Sequence, residues 1–314
     1  MRAALPVRIG GCVGLVLTVL LAASPAASPS GGTPGASYAV GTRVLRFVDS
    51  SRLARPLHRR PEARALSMVL RYPASVSGIG APAAKGPFPL IVFAHGFAVT
   101  PATYSRMLAS WTRAGYVVAA PVFPLENANA PGGPQESDLV NEPADISFVI
   151  SKLLAAAAAT GAPLSGLIDP GRIAVAGQSD GGEAALAVAY SRRLRDPRVR
   201  AAVILSGAEM SGIGGYSFGA GEPPLLAAQG TADTSNEPRF TYAYFRAAQR
   251  PKYLLRLLGA EHLPPYTTQR PQLGVVERVS TAFLDGYLRG RTGVAGRLTT
   301  LGNTAGTAAL TAEP

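Results

Sequence analysis

The sequence of 314 residues holds a single cysteine, Cys12. It lies at the start of an apolar run over 9–23, whereas a lipid-bearing cysteine would follow such a run. Without that run the chain has no thiol, which excludes a disulfide framework, a cysteine nucleophile and a thiolate metal site. Histidine is nearly as scarce, with only His58, His95 and His262. Any chemistry that needs an imidazole must choose among those three. Charged residues make up only 16% of the chain. No basic stretch is interleaved with stacking aromatics, so nucleic-acid binding is not expected. The 9–23 run is short of the roughly 20 apolar residues that span a bilayer as a helix. No internal repeat is visible, which argues against a solenoid or propeller.

What is present points to a globular domain. Hydrophobic residues account for 47% of the chain, enough for a large core. The net charge is +11, and all but three of the 30 basic residues are arginines. They crowd at Arg52, Arg55, Arg59, Arg60 and Arg64, and again at 192–200. These are read as solvated loops and helix ends that would allow weak association with an anionic cell envelope. Arg2 and Arg8, the apolar run and the small residues around Ala26 have the layout of a secretory leader. The expected organisation is therefore a signal peptide over 1–26, a flexible lead-in over 27–40, one domain over 41–291 and a Gly/Ala/Thr-rich tail over 292–314. The expected location is outside the cytoplasm.

Within 41–291, strand-like and helix-like segments alternate. Strands are predicted at 44–48, 66–72, 89–94, 116–120, 172–176, 201–205, 225–229 and 253–258. Helices are predicted at 101–114, 142–159, 182–193 and 271–289. The segment 89–94 (PLIVFA) is apolar without alternation, as in a strand covered on both faces. Such alternation predicts an α/β fold with a mostly parallel sheet of about eight strands and helices on both faces.

The most specific motif follows strand 172–176: Gly177-Gln178-Ser179-Asp180-Gly181-Gly182. It is G-x-S-x-G between a strand and a helix, the setting in which a sharp turn presents a serine nucleophile. A serine hydroxyl needs a base. His58 falls in the Arg-rich loop, and His95 falls where an oxyanion loop belongs. His262, just past the last strand, remains. The base needs a carboxylate to hold its tautomer. Asp233 follows strand 225–229 and preserves the order Ser, Asp, His; Glu209, past strand 201–205, is the alternative. Backbone N–H groups of Phe97 and Asp180 are the expected oxyanion donors. The Asp180 carboxylate is expected to turn away to a hydrogen-bond partner, because a negative charge beside the oxyanion would oppose it.

These motifs, with Leu70-Arg71-Tyr72-Pro73-Ala74, His95-Gly96-Phe97, Gly230-Thr231-Ala232-Asp233 and Gly259-Ala260-Glu261-His262, resemble one branch of the α/β-hydrolases. That branch is the dienelactone-hydrolase-like and platelet-activating-factor-acetylhydrolase-like one, near the chlorophyllase-like and cutinase-like esterases. The resemblance spans about 40–289. It implies an eight-stranded sheet whose first strands are antiparallel, and an acyl-enzyme mechanism with no cofactor and no metal. Two departures stand out. Gln178 replaces the usual His before the nucleophile, and 206–210 lacks the Trp of polyester hydrolases.

The expected substrate is a small-molecule ester with a small-to-medium acyl chain, since no long apolar insertion suggests a lid. Tyr104, Phe123, Met210 and Tyr266 are candidate pocket walls, together with Phe97, Tyr216, Phe218 and Pro264. The competing readings are another acyl-transfer enzyme on the same fold and a non-catalytic binding protein.

Overall fold

The computed structural model describes residues 37–314, with Met1 and Ala3. The predicted leader and most of the lead-in lie outside the described residues. A long hairpin opens the fold, β1 (Ala39–Ala54) against β2 (Glu62–Ala74), followed by the two-residue β3 (Gly78–Ile79). Then come β4 (Phe88–Ala94), α1 (Ser105–Arg113), β5 (Val117–Val122), α2 (Glu142–Ala158), β6 (Ile168–Gln178), α3 (Asp180–Tyr190) and β7 (Val199–Leu205). The second half holds β8 (Leu225–Gly230), α4 (Pro238–Ala247), β9 (Lys252–Leu257), α5 (Pro264–Thr267), α6 (Gln272–Arg289), α7 (Val294–Gly302) and β10 (Ala308–Glu313).

The ten strands form one sheet in the order β10-β9-β8-β7-β6-β4-β5-β2-β1-β3. From β5 through β4, β6, β7 and β8 to β9 every pairing is parallel. The β1–β2, β2–β5 and β9–β10 pairings are antiparallel. The eight expected strands are all present, and the sheet exceeds that number by β3 and β10. The stretch 292–314, expected as a tail, instead supplies α7 and the edge strand β10. Its Gly/Ala/Thr composition conceals this, because the stripe that β10 turns to the core, Ala308, Leu310 and Ala312, is short and weakly apolar. Among the described residues no helix is long and apolar enough to cross a membrane.

The β4 sequence shows why the sheet is central. All seven of its residues are buried. Leu90, Val92 and Ala94 face a core completed by Ile146, Val149 and Ile150 of α2 and the alanines of α3. Ile91 and Phe93 face the opposite core, with Leu108 and Trp111 of α1 and Val276 and Phe283 of α6. The Trp111 indole N–H donates to Ser280 Oγ at 2.9 Å, fixing α1 to α6. A strand covered on both faces can be apolar throughout, which is what the sequence pattern requires.

One arginine departs from the expected solvated surface. Arg64 is fully buried. Its guanidinium donates to both oxygens of Asp138 at 2.9 and 2.6 Å and to both oxygens of Asp145 at 2.7–2.8 Å. Arg52 reaches the same Asp145 at 2.7 Å and also holds Asp49. These pairs tie the hairpin to the start of α2. The planar guanidinium fork matches two carboxylates at once, a geometry that lysine could not supply.

Candidate active site

The loops at the carboxyl ends of the parallel strands carry the site. β6 ends at Gln178, and α3 begins at Asp180, two residues earlier than the sequence pattern placed it. Ser179 alone makes the turn, at φ 56° and ψ −126°. A non-glycine residue held there is strained, and such strain persists only where the surroundings enforce it. The flanking glycines permit it. A Cβ on Gly177 would overlap the Gly181 carbonyl, and one on Gly181 would overlap the carbonyls of Ala94 and His95.

Asp233 follows β8 and His262 follows β9, so both reach the same edge as Ser179. Ser179 Oγ lies 2.8 Å from His262 Nε2, and His262 Nδ1 lies 2.8 Å from Asp233 Oδ2. Asp233 Oδ2 also accepts from Gln229 Nε2 at 3.0 Å, and Oδ1 accepts the Ser235 and Asn236 amides at 2.9 and 3.0 Å. Burial pushes this carboxyl up, but the bonds from His262 and Gln229 outweigh burial and hold it below the usual range. Glu209, the alternative acid, sits exposed beyond β7. Gln229 is the residue that sequence reading missed. It ends a strand as one more polar letter, and only the fold reveals that it anchors Asp233.

His95 is a framework residue. It is fully buried, with Nε2 accepting the Phe123 amide at 3.1 Å. Its proton therefore sits on Nδ1, which donates to the Gly96 carbonyl at 2.8 Å. Burial pushes this imidazole down to about 4, so it stays neutral. The Ala98 amide, at φ 53°, is tied to the Glu126 carbonyl at 2.8 Å. Phe97 is held between these two anchors with its side chain 39% exposed.

The four named pocket candidates are corrected. Tyr104, Phe123, Met210 and Tyr266 are all buried, Met210 at 5% exposure and the others at 0%. Tyr104 OH donates to Gln178 Oε1 at 2.6 Å, and Tyr266 OH donates to the Ala228 carbonyl at 3.0 Å. With their hydroxyls occupied internally, the two tyrosines brace the strand ends, while Phe123 and Met210 pack in the hydrophobic core. Gln178, in turn, donates from Nε2 to the His262 carbonyl at 3.2 Å.

Asp180 also departs from expectation. Its carboxylate does not turn away to a partner. Oδ1 stays 3.4 Å from Ser179 Oγ, and Oδ2 is buried without a hydrogen bond. Behind it stand Glu126 and Glu142, both fully buried. Glu142 opens α2, and neither its carboxyl oxygens nor those of Glu126 have a hydrogen-bond partner. Burial first, and each other's charge second, push Glu142 well above the ordinary range. Burial likewise takes Glu126 up to about 8.

The chain was compared with known families and structures. A family model described as Chlorophyllase matches residues 63–206. No curated protein matches. Among solved structures, a ferulic acid esterase from Streptomyces cinnamoneus superposes with a TM-score of 0.65 at 22% identity, covering 87% of this chain and 96% of that one. The chain has the α/β-hydrolase fold. The Chlorophyllase match runs from β2 to the end of β7 and includes the Ser179 turn. It stops short of Asp233 and His262, whose placement rests on the geometry above.

Proposed function

We propose that this α/β-hydrolase is a secreted serine esterase that cleaves carboxylic esters of small-to-medium acyl chains through an acyl-enzyme. The observation that carries this reading is the unbroken line Asp233–His262–Ser179, with 2.8 Å at each step. Residues from three separate loops meet in a geometry suited to passing a proton. The Chlorophyllase match and the likeness to a ferulic acid esterase favour an ester over other acyl substrates. The finer placement in the dienelactone-hydrolase-like branch is part of the same proposal, as is secretion, which rests on the leader-like N-terminus.

In the proposed cycle, Ser179 Oγ attacks the ester carbonyl while His262 Nε2 takes its proton. Asp233 holds the imidazole tautomer and stabilises the cation. The backbone N–H groups of Phe97 and Asp180 receive the oxyanion, the latter with the positive end of α3 behind it. His262 then gives its proton to the leaving alcohol as the acyl–oxygen bond breaks. Water, deprotonated by the same imidazole, attacks the acyl-enzyme and releases the acid and free Ser179. The cycle calls for no cofactor.

The test combines fluorophosphonate labelling with a panel of p-nitrophenyl esters of rising chain length. Labelling at Ser179 and turnover of the short esters are expected, both lost in Ser179→Ala. Turnover retained in that variant would assign the wrong nucleophile. Absence of both labelling and turnover in the wild type would leave a non-catalytic binding protein.

A further inference from the structure

The protein carries a net charge of +11, yet the immediate surroundings of Ser179 are acidic. Asp180 lies beside the nucleophile. Glu136 and Glu183 act on it through space, as do Glu126 and Glu142. Arg64, a fully buried cation, is engaged by Asp138 and Asp145. Among the described residues, no Lys or Arg forms an ion pair with Asp180, Glu126, Glu136, Glu142 or Glu183. An opposite charge that acts on Asp180 is His262 once protonated.

This arrangement opposes the chemistry assigned to it. A tetrahedral oxyanion forming on the Asp180 amide would develop within a few ångströms of that residue's own carboxylate. In a partly desolvated cleft two like charges repel strongly. The protein does not resolve the conflict internally. Asp180 Oδ2 has no hydrogen-bond partner, and Oδ1 has only the long 3.4 Å contact to Ser179 Oγ. The two glutamates behind it are fully buried, and none of their four carboxyl oxygens receives a hydrogen bond from a backbone amide, hydroxyl or cationic side chain. An acid left unpaired beside a nucleophile is costly unless something that arrives with the substrate pairs with it.

The reach of that acid limits where the partner can sit. In a near-attack complex Ser179 Oγ lies about 3–3.5 Å from the carbonyl carbon. With Oδ1 3.4 Å from the same Oγ, a group on the carbon next to the scissile carbonyl can be turned to within hydrogen-bond distance of Oδ1.

We propose that Asp180 is a specificity-determining residue that receives a positively charged group, an ammonium on the acyl carbon adjacent to the scissile carbonyl. The preferred substrates are then esters of amino acids or of acids of like charge pattern. The ammonium neutralises the carboxylate that would otherwise oppose the oxyanion, so the substrate completes the electrostatics of the site. This inference rests on the ester-hydrolase reading above and specifies its substrate class.

The experiment compares the methyl esters of L-phenylalanine and 3-phenylpropanoic acid, near-isosteres that differ in the ammonium. It is run at about pH 6.5, below the usual α-amino range, and each rate is divided by that ester's rate with hydroxide. The wild type is expected to favour the ammonium ester in kcat/KM by at least about tenfold, equivalent to about 1.4 kcal/mol. Asp180→Asn is expected to bring the ratio close to one, whatever its effect on either rate alone. Glu136→Gln, outside the catalytic line, is expected to lower the ratio by about two- to threefold through the lost field, and it keeps the test decisive if the Asp180 variant fails to fold. Parity in the wild type, or an unchanged ratio in Asp180→Asn, overturns the proposal. A wild type that labels with fluorophosphonate and cleaves the neutral ester without preference overturns only the substrate class. One that neither labels nor cleaves either ester overturns the esterase reading itself.

Discussion

The two sides of Ser179 are built on opposite terms. On the His262 side every charged or polar atom is engaged: Asp233 accepts bonds from the imidazole, Gln229 and two backbone amides. On the Asp180 side the carboxyls of residues 126, 142 and 180 crowd together with their oxygens largely unpartnered. Asp233 is held below the ordinary carboxyl range, while Asp180, Glu126 and Glu142 are pushed above it, chiefly by burial. The first side is prepared to hold charge during a reaction. The second holds protons, or waits for a cation. The contrast teaches that solvation and partners, not residue type, decide what a carboxyl near a nucleophile does.

The largest expected effect breaks the engaged side. Asp233→Asn presents an amide to His262 and so favours the wrong imidazole tautomer. A fall in kcat of about 10⁴-fold is expected, measured on a p-nitrophenyl ester, whereas Glu209→Gln stays within about twofold of wild type. The reverse ranking would move the acid to the exposed residue beyond β7.

The engaged side was legible in the sequence because each of its members is bound to a local pattern. Ser179 sits in G-x-S-x-G, Asp233 and His262 directly follow strands, and scarcity left one suitable histidine. The Asp180 side was not legible. Glu126 lies in a Pro/Asn-rich loop, and Glu142 opens a helix as acids often do. Nothing in either segment reveals that tertiary packing brings both into one dry space. The hidden pairing of Arg64 escaped for the same reason, since its neighbours in sequence are solvated arginines. The pocket aromatics failed differently. Tyr104 and Tyr266 are placed near the site, but a hydroxyl that finds an internal acceptor draws its ring into the core. The edge strand β10 was missed because Ala/Thr-rich segments have no strong periodicity; its register comes from β9.

The next effect concerns stability. Arg64 is the buried charge that is fully paired, the counterpart of the unpaired acids nearby. Arg64→Ala would leave Asp138 buried without a cation and Asp145 with Arg52 alone. A loss of about 3–5 kcal/mol is expected from urea unfolding. A loss below about 1 kcal/mol would mean that water or Arg52 replaces the guanidinium.

The acidic side predicts a pH dependence of the opposite sign to ordinary carboxylates. Glu126 has an unperturbed value of 4.5 and rises to about 8 in the folded chain, with Glu142 also raised. Between those values the unfolded chain binds fewer protons than the native one. The pair's contribution is complete below about pH 4.5 and is lost as pH rises toward about 8. The thermal midpoint should therefore decline across that window. Glu142→Gln supplies a permanent N–H donor to Glu126, and it is expected to flatten the decline and gain about 1–2 kcal/mol at the alkaline end. An unchanged slope would show that the two carboxyls do not share a proton.

The smallest expected effect probes the strut between the two sides. Gln178 links Tyr104 OH, through Oε1, to the His262 carbonyl, through Nε2. It thereby fixes the histidine loop to the strand that carries the nucleophile. Removing either end should misalign the imidazole only slightly, since Asp233 still holds Nδ1. Tyr104→Phe and Gln178→Leu are each expected to lower kcat by about fivefold to tenfold, with KM little changed. The double variant should be no worse than the poorer single one, because both substitutions cut the same chain of bonds. If the two losses multiply, Tyr104 and Gln178 act separately, and the loop bearing His262 is positioned by its packing alone.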